Sequence, residues 1–110
     1  MQFSHIGVIT EEAKPGEVFV EATRVWVTDF ANHPFHVEWL RFEPDSPVTG
    51  PVREQPHVAY RVDSIEDAAL GLPVLLEPFR PREGLRVGFY LSDDGAVVEL
   101  MEYDEKLSAR

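Results

Sequence analysis

The sequence predicts a strand-dominated α+β fold of two related halves. Three observations lead there: short alternating apolar stretches recur along the chain, helix signals are scarce, and a His-bearing strand followed by a Glu-bearing strand occurs twice. At 110 residues the length suits one domain, 1–110, with a single modest core.

Taken in order, Phe3 to Ile9 is apolar and β-branched with one histidine inside it, which predicts a strand. Thr10 to Gly16 is a loop closed by Pro15-Gly16. Glu17 to Asp29 alternates as one long strand or two short ones, and Ala31-Asn32-His33-Pro34 connects it to a returning strand over Phe35 to Glu43. The Pro- and Gly-rich segment from Pro44 to Pro51 is a connector. His57 to Val62 is a further strand. Ser64 then reads as an N-cap with Asp67 three residues on, opening a short helix over 65–70 that Gly71 stops. Val74 to Glu77 is a brief strand and Pro78 to Gly84 a loop. Leu85 to Leu91 and Ala96 to Tyr103 form a hairpin about Ser92-Asp93-Asp94-Gly95, and the polar tail from Asp104 is expected to fray.

The repeat sets Val37-Glu38-Trp39-Leu40-Arg41-Phe42-Glu43 over Val98-Glu99-Leu100-Met101-Glu102-Tyr103-Asp104. It also sets Ser4-His5-Ile6-Gly7-Val8 over Pro56-His57-Val58-Ala59-Tyr60, and the two segments recur in the same order. The halves are about 1–47 and 54–104. Side chains alternate along a strand, so if the apolar neighbours of Glu38 and Glu99 face the core, both glutamates face the concave side. With His5 and His57 beside them, two imidazoles and two carboxylates converge. That set suits a divalent ion such as Zn, Ni, Co, Mn or Fe, and octahedral coordination would leave two positions open for Lewis-acid chemistry. Each residue alone also admits a plainer reading, a glutamate turned to solvent or a hydrogen-bonded strand histidine.

Composition narrows the function classes. Twenty acidic against ten basic residues give a net charge of −10, which argues against nucleic-acid binding. Cysteine is absent, so disulfides and thiolate chemistry are excluded and a cytoplasmic location is the expectation. No apolar run has the length of a membrane span, and no signal-peptide pattern opens the chain. Arg41, Arg53, Arg61, Arg80, Arg82 and Arg86 cluster in the middle of the sequence, where an anionic small molecule could be met.

The stretches VEWLRFEPDSP (37–47), PHVAYRVDSIEDA (56–68), LLEPFRP (75–81), RVGFYLSDDG (86–95) and VVELMEY (97–103) resemble the methylmalonyl-CoA epimerase-like branch of the vicinal-oxygen-chelate (glyoxalase/bleomycin-resistance-like) superfamily. FSHIGVIT (3–10) resembles that family's first, metal-binding strand. The resemblance implies two trimmed βαβββ-type modules forming curved mixed sheets around a concave pocket. It implies His5, His57 and Glu99 as metal ligands, with Glu38 in the fourth position. It further implies a metal-dependent isomerase or lyase that stabilises an enolate or enediolate, with Glu99 and Glu38 as the catalytic carboxylates.

The sequence departs from that pattern in lacking room for a helix at 10–17. The extra acid that epimerases carry on a first-half strand also has only Glu21 as a candidate. A two-residue turn at Asp93-Asp94 would pair Gly88 with Glu99 and put Arg86 and Tyr90 on the pocket face as substrate-binding residues, with Gly88 leaving space beside the ligand. His36 alternates with Glu38 and joins them as a candidate. Trp26 and Trp39 read as core or subunit-contact residues. With so little helix to cover the sheet, a homodimer is expected, acting on a small-molecule substrate. Two other readings stand beside the enzyme: a non-catalytic small-ligand-binding protein of the same fold, and a cupin-like barrel, which would have no helix at 65–70.

Overall fold

In the computed structural model, which describes residues 1–104, the chain forms one curved eight-stranded mixed sheet with few helices. The expectation for the tail after Asp104 lies outside the described residues. In chain order the elements are β1 (Gln2–Ile9), β2 (Val18–Val20), β3 (Val25–Val27), β4 (Val37–Phe42), α1 (Pro51–Glu54), β5 (His57–Arg61), α2 (Ile65–Ala68), β6 (Val74–Arg82), β7 (Leu85–Leu91) and β8 (Val97–Tyr103). A single 3-10 turn, Phe30–Asn32, separates β3 from β4.

The strand order is β2-β3-β4-β1-β5-β8-β7-β6. Exchanging β1–β4 for β5–β8 turns this order into its own reverse. Within each half the first strand runs parallel to the fourth, β1 to β4 and β5 to β8, and the two first strands meet antiparallel at the centre. The strand-rich halves and the concave surface agree with the fold class read from the sequence, with both halves contributing to one continuous sheet.

The short helix is where its cap requires it. The Ser64 side chain accepts from the Asp67 amide at 3.2 Å, and the Glu102 carboxylate accepts from the Ile65 amide at 2.9 Å, so two otherwise unpaired helix-start donors are satisfied. Ile65 is fully buried and packs with Leu100 and Tyr90 on the convex face. The first half has no such helix. There the 10–17 segment crosses the outer face, with the Lys14 ammonium over the Trp39 ring and Glu17 paired to Arg41 through two hydrogen bonds of 2.9 and 2.7 Å. Trp26 lies next to it, half-buried, under the Arg41 guanidinium.

Three elements differ from the sequence expectation. The connector 44–51 runs into α1, a one-turn helix with proline in its first turn, and Val48 and Val52 are buried against the concave face of the sheet. The strand expected over 74–77 continues to Arg82 through Pro78 and Pro81. It does so because β6 is an edge strand with an irregular register, where a missing amide donor costs no ladder bond. The β7–β8 turn has three residues instead of two. Ser92 opposes Ala96, its amide donating to the Ala96 carbonyl at 2.9 Å, and Gly95 takes φ +90°, which favours glycine.

That single extra residue moves the whole ladder by one step. Phe89, and not Gly88, pairs with Glu99, while Arg86 pairs with Glu102 and Tyr90 with Val98. Partners across a ladder share a face. Phe89 therefore stands on the concave side with Glu99, and Arg86 and Tyr90 stand on the convex side with α2.

Candidate metal centre

His5, Glu38, His57 and Glu99 come together at the middle of the sheet, each offering one ligand atom within 4.8 Å of the others. The register explains how. Gly7, two residues after His5, pairs with both Glu38 on β4 and His57 on β5; Ala59, two residues after His57, pairs with both Glu99 on β8 and His5 on β1. Residues two apart on a strand share a face, so both histidines and both glutamates project to the concave side around two small residues. The His-x-small pattern seen twice in the sequence is thus a packing requirement. A Cβ on Gly7 would overlap the His57 ring.

The four side chains meet without satisfying one another. His57 Nε2 lies 3.1 Å from Glu99 Oε1 and 3.8 Å from Glu38 Oε1; His5 Nε2 lies 3.3 and 3.5 Å from the same two oxygens. None of these contacts has hydrogen-bond alignment at His5 Nε2, His57 Nε2 or Glu99 Oε1, and all three atoms are buried. Buried polar atoms left unpaired are costly, and these three lie close together, while a fourth buried atom without a partner, His57 Nδ1, makes none of these contacts. Nitrogen and carboxylate oxygen are donors suited to a divalent transition ion or zinc. The residues present therefore fit a metal.

Neighbours hold the rings in place. His5 Nδ1 sits 3.0 Å from Ser4 Oγ, and the Phe30 ring stacks on His5 at 4.1 Å between centroids. Phe89 meets His57 edge-on at 5.2 Å. The charges interact strongly. Burial pushes the His5 imidazole down, but the carboxylates of Glu38 and Glu99 outweigh it and raise the group to about 9. Burial pushes the Glu99 carboxyl up, and the imidazoles of His5 and His57 outweigh that in turn, holding it at about 2.

His5, Glu38 and Glu99 line a cavity of about 580 Å³ on the concave side, while His57 lies behind them. Glu38 is the more exposed of the two carboxylates, with side-chain exposures of 15% against 9%. The other cavity-lining acid among the described residues, Asp29, is used structurally: its oxygens accept from the Ala31 amide at 2.9 Å and the Asn32 side chain at 3.0 Å.

The remaining sequence candidates fall elsewhere. Arg86 is ion-paired with Glu66 and with Glu102 beneath α2, and the Tyr90 ring is buried with Ile65 and Leu100, so neither reaches the cavity. The space above Gly88 is taken by the Tyr90 phenol and not by a ligand. His36 is exposed, with φ +52° and Nδ1 2.9 Å from the Ser4 carbonyl oxygen; that left-handed residue breaks the strand alternation that linked it to Glu38. Glu21 is exposed in the β2–β3 turn beside Arg24, away from the cavity. Of the six mid-chain arginines only Arg82 lines the cavity wall. Phe30, Phe89 and the apolar cavity itself are not among the sequence candidates. Phe30 lies in a connection with no periodic signal, and Phe89 becomes legible only once Gly95 is read as the third residue of the turn.

Comparison of the sequence with protein-family models found no match, and comparison with curated proteins found none. Among solved structures, the crystal structure of a hypothetical protein from Bacillus halodurans C-125 is similar, with TM-score 0.71 at 21% identity over 94% of this chain and 95% of that one. The two share a fold along nearly their whole lengths. Among the described residues, no helix is long and apolar enough to cross a membrane.

Proposed function

We propose that the chain is a metal-dependent isomerase or lyase of the vicinal-oxygen-chelate type, closest to epimerase-like members. The observation that carries this reading is the convergence of His5, Glu38, His57 and Glu99, with unpaired buried atoms close together, beside an open cavity. These four residues would hold the ion. A divalent ion there supplies Lewis-acid stabilisation of negative charge developing on substrate oxygen, as in an enolate or enediolate.

The chain's own groups then have distinct tasks. Glu99 is buried and held ionised, so it is a ligand more than a proton carrier. Glu38 is the carboxylate closer to solvent on the cavity wall, placed to take a proton from the carbon next to a carbonyl and to return it. Return to the other face or the neighbouring carbon gives isomerisation; departure of a β-substituent gives elimination. Phe30 stacks on the His5 ring and Phe89 meets the His57 ring edge-on, so apolar rings adjoin both imidazoles. A two-acid epimerase arrangement has little support, because Glu21 is remote and both Asp29 oxygens are engaged.

The test starts with elemental analysis of protein purified without added metal, then titration with Zn, Ni, Co, Mn and Fe. Failure of all five to bind more tightly than about millimolar ends the proposal. Metal-loaded protein should catalyse deuterium incorporation from D2O next to the carbonyl of small hydroxyketones or thioesters. Glu38→Gln should reduce that exchange at least about a hundredfold while a metal stays bound.

A cytoplasmic homodimer belongs to the same proposal. Phe3 and Ile6 on β1 remain 49% and 40% exposed, large apolar side chains on the strand at the centre of the sheet. Light scattering that gives a monomer mass at micromolar concentration would count against it.

A further inference from the structure

We infer that the site takes an amphipathic molecule, with neighbouring oxygens at the His/Glu cluster and a medium-sized hydrocarbon or aromatic body in the cavity. The oxygen end of this inference rests on the proposed metal function; the apolar end rests on the cavity alone. A small oxygen-rich acid by itself would leave most of the space unused. At about 580 Å³ the cavity is within the roughly 300–1,000 Å³ of small-molecule sites, and native interiors keep few voids larger than a water molecule.

The wall decides what fills that space. From the cluster on the central strands it runs outward over Val27, Leu40, Phe42, Leu76, Phe79 and Val87 towards the edge strands β2 and β6. Val48 and Val52, brought in by the connector and α1, close it on the concave side. Polar groups set against such a wall lose water without gaining a partner, so a sugar-like or phosphate-bearing body is disfavoured and a hydrocarbon one is favoured. Beyond the His/Glu cluster, the single cation on the wall among the described residues is Arg82, which is exposed and lies 5.9 Å over the Tyr103 ring. The polar end of the molecule is therefore directed to the cluster and the rest to apolar side chains.

Zinc-loaded protein titrated calorimetrically with acetohydroxamate, hexanohydroxamate and octanohydroxamate tests this, since the three share one chelating oxygen pair and differ in alkyl length. Affinity should rise roughly three- to fourfold per methylene, at least a hundredfold across the series. Val27→Trp, at a half-buried position on the short strand β3, should fill the wall and abolish the gain for octanohydroxamate; retained zinc binding reports that the variant is folded. Equal affinities along the series overturn the inference and leave the metal reading standing. If zinc does not bind, whichever of Ni, Co, Mn or Fe binds replaces it in the series; if none of the five binds, the metal reading falls, and the neutral dye N-phenyl-1-naphthylamine with metal-free protein decides the remainder. Fluorescence that 1-octanol displaces and Val27→Trp removes supports the apolar body, and no dye uptake overturns it.

Discussion

Gly7 and His57 face each other across the two central antiparallel strands, and the imidazole lies where a Cβ on Gly7 would be. Glycine here makes room for a side chain, and its conformational freedom is not in use. The same register pairs His5 with Ala59, so each histidine stands opposite a small residue of the other half. Gly7→Ala should displace the His57 ring and weaken zinc binding by about ten- to a hundredfold, the range for disturbed ligand support. Equilibrium dialysis measures this, with circular dichroism confirming that the strands persist. Unchanged affinity would show that His57 is not a ligand.

The contacts of His5 with Glu38 and Glu99 make metal binding depend on pH in a definite direction. Without metal His5 keeps its proton up to about pH 9, and a metal must displace that proton. Zinc affinity should therefore climb by about tenfold per pH unit between roughly 6.5 and 9, and calorimetry in buffers of different ionisation heat should show a proton released. An affinity flat over that window would contradict the ligand role of His5.

Stability of the metal-free protein should be bounded on both sides by His5 and Glu99. His5 is raised from 6.5 to about 9, so its contribution is complete below 6.5 and is lost as pH rises towards 9. Glu99 is lowered from 4.5 to about 2, so its contribution is complete above 4.5 and is lost as pH falls towards 2. Urea midpoints of metal-free protein should be highest between about 4.5 and 6.5 for this cluster, and Glu99→Gln should remove the acid flank and lessen the alkaline one, which Glu38 still supports. A profile that Glu99→Gln leaves unaltered would mean the two groups are not linked in solution.

The two faces of β7 should respond differently to mutation. Phe89→Ala removes the ring that meets His57 and should weaken metal binding, with about 3–5 kcal/mol lost from stability for an aromatic core truncation. Arg86→Gln, three residues away on the convex side, should leave metal and hydroxamate binding within about twofold of the parent, because its partners are Glu66 and Glu102. A large binding defect in Arg86→Gln would reverse the face assignment.

The cap of α2 offers an independent check on the second half. Ser64→Ala removes the acceptor for the Asp67 amide and should cost about 1 kcal/mol, measured by urea unfolding, with zinc affinity unaffected.

Much of the site was legible because a strand's alternation is a local property. Val-Glu pairs inside apolar runs, preceded by His-x-small segments, identify the four converging residues without any knowledge of how the strands pair. The sequence pattern puts Arg86 and Tyr90 on the wrong face for the opposite reason. Their side depends on register, and register depends on whether the turn after Leu91 holds two residues or three. Gly95 at φ +90° completes the three-residue form, and one step of register turns every side chain of β7 over relative to Glu99. His36 failed through the backbone, because a left-handed φ of 52° ends the alternation before it reaches that residue.

By itself the sequence determined the doubled plan, the strand-rich class, the capped helix at Ser64 and the four ligand-type residues, all of which follow from nearest-neighbour chemistry and period-two patterning. Only the tertiary structure decided that the two halves join through β1 and β5, so that Gly7 and Ala59 each stand opposite a histidine across the central seam, with the His57 ring filling the space over Gly7. It also decided that the connector folds inward to place Val48 and Val52 over an apolar cavity. Those features arise from contacts between residues distant in the chain, whose energies no local pattern encodes.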